Sequence, residues 1–147
     1  MTGIRSNAEI VEISIIDDDG NVLLEQLVQP QGVITPEAER VHGISQAAVA
    51  NAPGWAAVWP SVLEIIEGRS VGIFNASFDM RLMEQSHGAA GMLWTSLAVE
   101  PFCIMHLYAK YYGEWDRYRR SYRWQSLAKA GRQCGISLPN SHRAVDD

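Results

Sequence analysis

Cysteine is nearly absent from this chain: Cys103 and Cys134 are the only two among 147 residues. They are too few for a disulfide scaffold and lack metal-site spacing, the usage expected in a reducing cytoplasm. Long apolar runs are missing as well. The longest uncharged stretch, residues 41–63, is interrupted by Gly, Pro, Asn, Gln and Ser, so no membrane span is expected. No basic n-region with an apolar h-region opens the chain, and nothing in it reads as an export signal. Positive charge is scarce over residues 1–100, where Arg5, Arg40, Arg69 and Arg81 face thirteen acids, a local charge of −9.

Apolar residues make up 47% of the sequence and charged ones 20%. That balance excludes a disordered chain, and the length fits one ordinary domain with a sizeable core. Residues 101–147 carry eight Lys/Arg against Glu114, Asp116, Asp146 and Asp147, which gives +4 there and −5 overall. An acidic body with a basic C-terminal third has the layout to hold metal ions in one part and a polyanion in the other. On composition alone, chance variation along a solvated surface is the better reading.

Patterning predicts one α/β domain. Residues 8–16 are rich in β-branched side chains and read as a strand, the Asp17-Asp18-Asp19-Gly20 run as a turn, and residues 22–28 as the second strand of a hairpin. Thr35-Pro36-Glu37 supplies an N-cap, a first-turn proline and an early acid for a short helix to about Val41. Ser45 caps another short helix. Residues 55–67 have helical apolar spacing with Gly68 as the stop. Residues 69–74 read as a short strand, Ser77 as the cap of a helix toward Gln85, and residues 102–112 as a strand-to-helix step. Residues 124–134 look helical, with Gly135 as the stop and Leu138-Pro139-Asn140 as a loop.

Three local features carry chemistry. In Asn75-Ala76-Ser77-Phe78-Asp79, an acid in a helix's first turn after a strand suits the helix dipole and a hard cation at the sheet edge. Taken alone, Asp79 more often only supports a helix start. In Ser141-His142-Arg143-Ala144-Val145-Asp146-Asp147, a histidine followed by acids places a proton acceptor beside metal-ligating groups. Helical geometry pairs His142 with Asp146, one turn on; Asp147 shares its site only if His142 precedes the helix. In Val41-His42-Gly43-Ile44, Gly43 permits a left-handed stop and His42 satisfies the last carbonyls.

The order and spacing of these segments are more specific than any one of them. A strand hairpin, then I-T-P-E-A-x-x-V-H-G-I-S, N-x-x-F-D, W-x-x-L-A and L-P-N-x-H-R-A-x-x-D, resembles the DnaQ-like (DEDDh) 3′→5′ exonucleases of the ribonuclease-H-like superfamily. The resemblance runs over residues 2–147 and is strongest to stand-alone bacterial relatives of the polymerase III proofreading subunit. It implies a mixed β-sheet flanked by helices. It makes Asp79 and Asp147 metal ligands and His142, five residues before Asp147, the general base, with Asp146 a bystander. It also implies that Thr2, Gly3, His42, Asn75 and Phe78 line the pocket for a 3′-terminal nucleotide. Phe74 stands where many relatives have histidine, a mild substitution.

The family's first motif is D-x-E followed by small residues and glycine at the end of the central strand. Met1-Thr2-Gly3 resembles the tail of that motif. The expectation is therefore a single exonuclease-like domain over residues 1–147, truncated at both ends relative to the family, without the first strand and the last helix. Glu9 and Glu12 are the nearest acids, but they belong to the following strand, where side chains alternate faces, and neither is assigned to the site.

The resemblance implies two Mg²⁺ or Mn²⁺ ions, about 4 Å apart in enzymes of this type, and hydrolysis that releases nucleoside 5′-monophosphates from a DNA 3′ end. Single-stranded ends are preferred, because one nucleotide must enter a pocket and stack. RNA is the alternative substrate, a DNA polymerase an expected partner, and the cytoplasm the expected location. A reading from another class is an interaction module derived from a nuclease, motivated by the missing acids. Residues 110–132, with Tyr118, Tyr122 and Trp124 among Arg117, Arg119, Arg120 and Arg123, either track phosphates or form a solvated face with ordinary core aromatics.

Overall fold

The computed structural model describes residues 1–3, 6–95, 100–136 and 144. Strands β1 (Glu12–Ile16) and β2 (Val22–Leu27) pair antiparallel. Their turn is fixed by Asp17 Oδ1, which accepts from the backbone N–H groups of Asp19 and Asn21 at 3.1 and 2.8 Å. Helix α1 (Pro36–His42) begins where the Thr35 hydroxyl accepts from the Ala38 N–H, and it ends at Gly43 in the left-handed region. Ser45 caps α2 (Gln46–Val49), and α3 (Trp55–Ile66) follows. Next come β3 (Gly72–Ile73), α4 (Ala76–Ala89), β4 (Phe102–Cys103) and α5 (Ile104–Tyr112). A small hairpin of β5 (Trp115–Asp116) and β6 (Ser121–Tyr122) precedes α6 (Leu127–Gln133).

The caps and glycine stops read from residues 35–68 form as expected, because they are decided within one helical turn. His42, however, does not satisfy the last carbonyls of α1: its ring nitrogens meet the Met1 carbonyl and the Ile44 N–H instead. The strands are shorter. Residues 8–11 are buried but lie outside the ladder: the Glu9 N–H donates to Thr2 Oγ1 and the Ile10 N–H to Ser86 Oγ, at 2.9 and 3.0 Å. Helix α4 starts behind Asn75, not at a Ser77 cap, and runs four residues past Gln85. Asn75 turns the chain with φ 62°, a left-handed conformation that asparagine tolerates better than most residues. The last helix starts at Leu127 on a Ser126 cap instead of Trp124. The Leu138-Pro139-Asn140 loop lies outside the described residues.

The core is laid on one face of the β1–β2 hairpin. Ile13 and Val28 pack with Trp55, Val58, Trp59, Val62 and Ile66 of α3 and with Leu82 of α4. Trp55 Nε1 donates to Nδ1 of the fully buried His87 at 2.9 Å, which ties α3 to α4. A second cluster of Val11, Ile34, Ala38, Ile44 and Val49 seats α1 and α2.

The sheet is interrupted. β3 pairs parallel with β4, β1 pairs with β2, and among the described residues no strand joins the two pairs. Between them runs a cleft of about 1080 Å³, with β1 on one wall, β3 on the other, and Val62, Ile66, Phe78 and Leu82 among the residues lining it. The Ser14 hydroxyl, on β1 in this cleft, is buried and has no hydrogen-bond partner among the described residues. Among the described residues the architecture is thus α/β, with parallel and antiparallel strand pairs flanked by helices and a cleft between the first two pairs.

Candidate active site

The two walls of the cleft run in opposite directions. Asp17, just past β1, lies in the field of Arg69, just before β3. At the other end Glu12, the first residue of β1, and Asp79, four residues past Asn75, both act on the Met1 amine. Asn75 and the first turn of α4 follow the end of β3, so the left-handed turn at Asn75 delivers Asp79 to that end. The positive end of the helix dipole favours a carboxylate there.

Met1 and Thr2 thread into this end. The Thr2 N–H donates to the Glu9 carbonyl at 2.8 Å, and the Thr35 N–H donates to the Thr2 carbonyl at 3.0 Å. Glu9 points away from the cleft: its carboxylate accepts from the N–H groups of Gln31 and Gly32 at 2.8 and 2.7 Å and anchors that loop. A Cβ on Gly32 would stand 2.9 Å from Glu9 Oε1, so a larger residue there would push the Glu9 carboxylate aside. His42 closes the same end. The Ile44 N–H donates to its Nδ1 at 3.0 Å, which leaves Nε2 as the protonated nitrogen, donating to the Met1 carbonyl at 2.9 Å.

Of the residues singled out in the sequence, His42, Asn75, Phe78 and Asp79 line one cleft with Met1. Thr2 is buried beside it, and Gly3 packs near the Thr35 side chain. His142 and Asp147 lie outside the described residues. Glu12 is the residue that strand alternation passed over. Strand composition puts Glu9 and Glu12 on one strand, but β1 begins only at Glu12, so the two carboxylates separate: one to a loop, one to the cleft. The only signal in the sequence is an acid set among Val11, Ile13 and Ile15.

Oxygen ligands such as Asp79 and Glu12 suit a hard divalent cation in kind. In number they fall short, since among the described residues no three His, Cys, Asp or Glu side chains gather into a metal-binding group.

Burial depresses the Met1 amine to about 6, although Glu12 and Asp79 both pull it upward. Below pH 6 the amine is charged in folded and unfolded chain alike, and folding bears the full desolvation penalty. Above pH 8 it is neutral in both and the penalty vanishes. With Met1 retained, stability should therefore rise by about 2–3 kcal/mol between pH 6 and 8 from this group. Urea unfolding of the free and the Nα-acetylated chain across that range isolates the effect. Parallel profiles would contradict it.

The basic hairpin settles one alternative. Tyr118 is 99% exposed and Trp124 65%, so neither is a core aromatic. Arg123 pairs with Glu114 and Asp116, at 3.3 and 3.5 Å. Among the described residues Arg117, Arg119 and Arg120 make no ion pair. The Arg119 N–H on the Asp116 carboxylate, with that of Tyr118, lowers the Asp116 pKa. No helix among the described residues is long and apolar enough to cross a membrane.

Comparison with known proteins gives the family. The exonuclease (RNase_T) family model matches residues 1–147. The chain is 36% identical to the uncharacterized exonuclease CP81 of Escherichia phage 186, over 99% of this chain and 77% of that protein. It is 36% identical to the DNA polymerase III subunit epsilon of Salmonella typhimurium over 42% of this chain, but only 25% of the subunit. In fold it is similar to exonuclease X, solved in complex with 5′ overhanging duplex DNA. That match has a TM-score of 0.69 at 23% identity and covers 99% of this chain and 79% of that one. The superposition extends the α/β reading to the ribonuclease-H-like fold, and with a family match along its whole length the chain belongs to the exonuclease family.

Proposed function

We propose that this chain is a divalent-metal-dependent 3′→5′ exonuclease of the DEDDh type that acts on DNA and prefers single-stranded ends. The observation that carries the reading is the convergence of Asp79, Asn75, Phe78 and His42 on one end of the cleft. In this reading Asp79 and Asp147 hold Mg²⁺ or Mn²⁺, together with a D-x-E pair supplied ahead of Met1. When bound, the ions supply an acidified water and neutralise charge building on the phosphate. His142 accepts the proton of the attacking water. The phosphorus–oxygen bond to the penultimate nucleotide breaks, that 3′ oxygen takes a proton, and a nucleoside 5′-monophosphate leaves.

The other residues position the substrate. Phe78 offers an apolar face for the terminal base, and Asn75 offers an amide beside it. His42, whose Nδ1 accepts from the Ile44 N–H, fixes the Met1 backbone at the rim. Arg117, Arg119 and Arg120, without an ion pair among the described residues, form with exposed Tyr118 the kind of surface that tracks a single strand through phosphate charge and stacking. Association with a DNA polymerase belongs to the same reading.

The test is degradation of 5′-labelled single-stranded DNA by the chain extended upstream through D-x-E. A ladder that shortens from the 3′ end in Mg²⁺ and stops in EDTA is the expected result. Internal fragments, or an unchanged rate in EDTA, would overturn the assignment. A matched RNA oligomer degraded faster than DNA would move the substrate class to RNA. Metal-independent oligonucleotide binding without cleavage would support the second reading, a nucleic-acid-binding or interaction module.

A further inference from the structure

We infer that Glu12 is a positioning residue, whose carboxylate ties the backbone at Ala144 to the rim of the cleft that bears Asp79. Glu12 Oε2 accepts from the Ala144 N–H at 2.8 Å, a contact that spans 132 positions of sequence. Ala144 and Glu12 line the same cleft as Asp79 and Asn75. A carboxylate that accepts from a backbone N–H makes a charge-assisted bond, stronger than a neutral pair. β1 is held by the β2 ladder and the core beneath it, so the acceptor stands on a rigid strand.

The position of the tether gives it a purpose. Ala144 lies two residues after His142 and three before Asp147 in the sequence, so the tether fixes a backbone nitrogen between the two residues that the exonuclease reading assigns to the reaction. Glu12 need not touch substrate or metal for this; it holds the Ala144 backbone at the rim that bears Asp79. Its catalytic consequence rests on the exonuclease reading, whereas the tether itself does not.

Residue-resolved amide hydrogen exchange on the 147-residue chain tests the tether. In Glu12→Ala the Ala144 amide should exchange at least about tenfold faster, the loss of roughly one hydrogen bond of protection. The Val28 amide, bonded to the Val11 carbonyl at 2.9 Å, should keep its protection and report that the fold survives. Glu12→Gln retains an acceptor oxygen and should recover most of the protection. Ala144→Pro removes the donor while leaving Glu12 in place, and covers the case in which Glu12→Ala fails to fold. It should match the loss elsewhere in the segment. Unchanged exchange at Ala144 in Glu12→Ala would overturn the tether.

The upstream-extended chain then separates the catalytic half. Glu12→Ala should lower kcat about 10- to 100-fold, with KM within threefold and partial rescue by Glu12→Gln. An accelerated Ala144 amide with unchanged kcat would overturn the positioning role but leave the exonuclease reading standing. An inactive parent would count against the exonuclease reading, and the exchange data would decide the tether alone.

Discussion

Extending the chain upstream of Met1 by a strand that ends in Asp-x-Glu should change both its stability and its activity. The cleft dictates the geometry. Its walls run in opposite directions, and Met1 sits where β1 begins and β3 leads into Asp79. A strand that ends at Met1 therefore runs parallel to β3 and antiparallel to β1. Such a strand offers backbone donors and acceptors on both sides and alternate side chains toward α3 and α4.

Two or three buried aliphatic side chains contribute about 1.5–3 kcal/mol each. Ordering five or six residues costs about 1–2 kcal/mol apiece, which the new ladder bonds partly offset. The Met1 amine becomes an amide, and its desolvation penalty disappears. A net gain of a few kcal/mol, or about 10 °C in Tm for a domain of this size, is expected. Differential scanning calorimetry of the two chains measures it. An equally stable, equally cooperative short form would mean that the strand does not belong in this cleft. Activity should appear with the extension, and neutralising its two acids to Asn and Gln should keep the stability and remove the activity.

Within that extended chain, His142→Ala should lower the rate of phosphodiester hydrolysis about 10²- to 10⁴-fold, the usual loss when a positioned general base is removed. Binding of a single-stranded oligonucleotide should change little, because the imidazole acts on water and not on the nucleotide. Asp79→Asn should lose activity as well, but through the metal: its deficit should shrink at raised Mn²⁺, while that of His142→Ala should not. Single-turnover kinetics with paired titrations of Mg²⁺ and Mn²⁺ distinguish the two. An undiminished rate in His142→Ala would remove His142 from the base role.

Much of the fold was legible because it is decided locally. Thr35 caps α1, Ser45 caps α2, Gly43 and Gly68 turn left-handed, and the Asp17 carboxylate closes the hairpin. Each device acts within four or five residues, and sequence displays it directly. Strand limits were less legible because a strand is defined by its neighbour: residues 8–11 have strand composition, yet their amides turn to Thr2 and Ser86. The β5–β6 hairpin went unread for a related reason. Its four paired residues carry too little periodicity to stand out from a charged, aromatic loop.

The sequence by itself determined the family, since the order and spacing of its segments carry it, and the local caps and stops of the helices, since these follow from residue identity. Only the tertiary structure decided that Glu9 and Glu12 part company and that the basic hairpin's aromatics face solvent. It alone brought Ala144 to Glu12 across most of the chain. Contacts of that kind depend on which edge of which strand is left open, and long-range closure sets that where no short window of residues does.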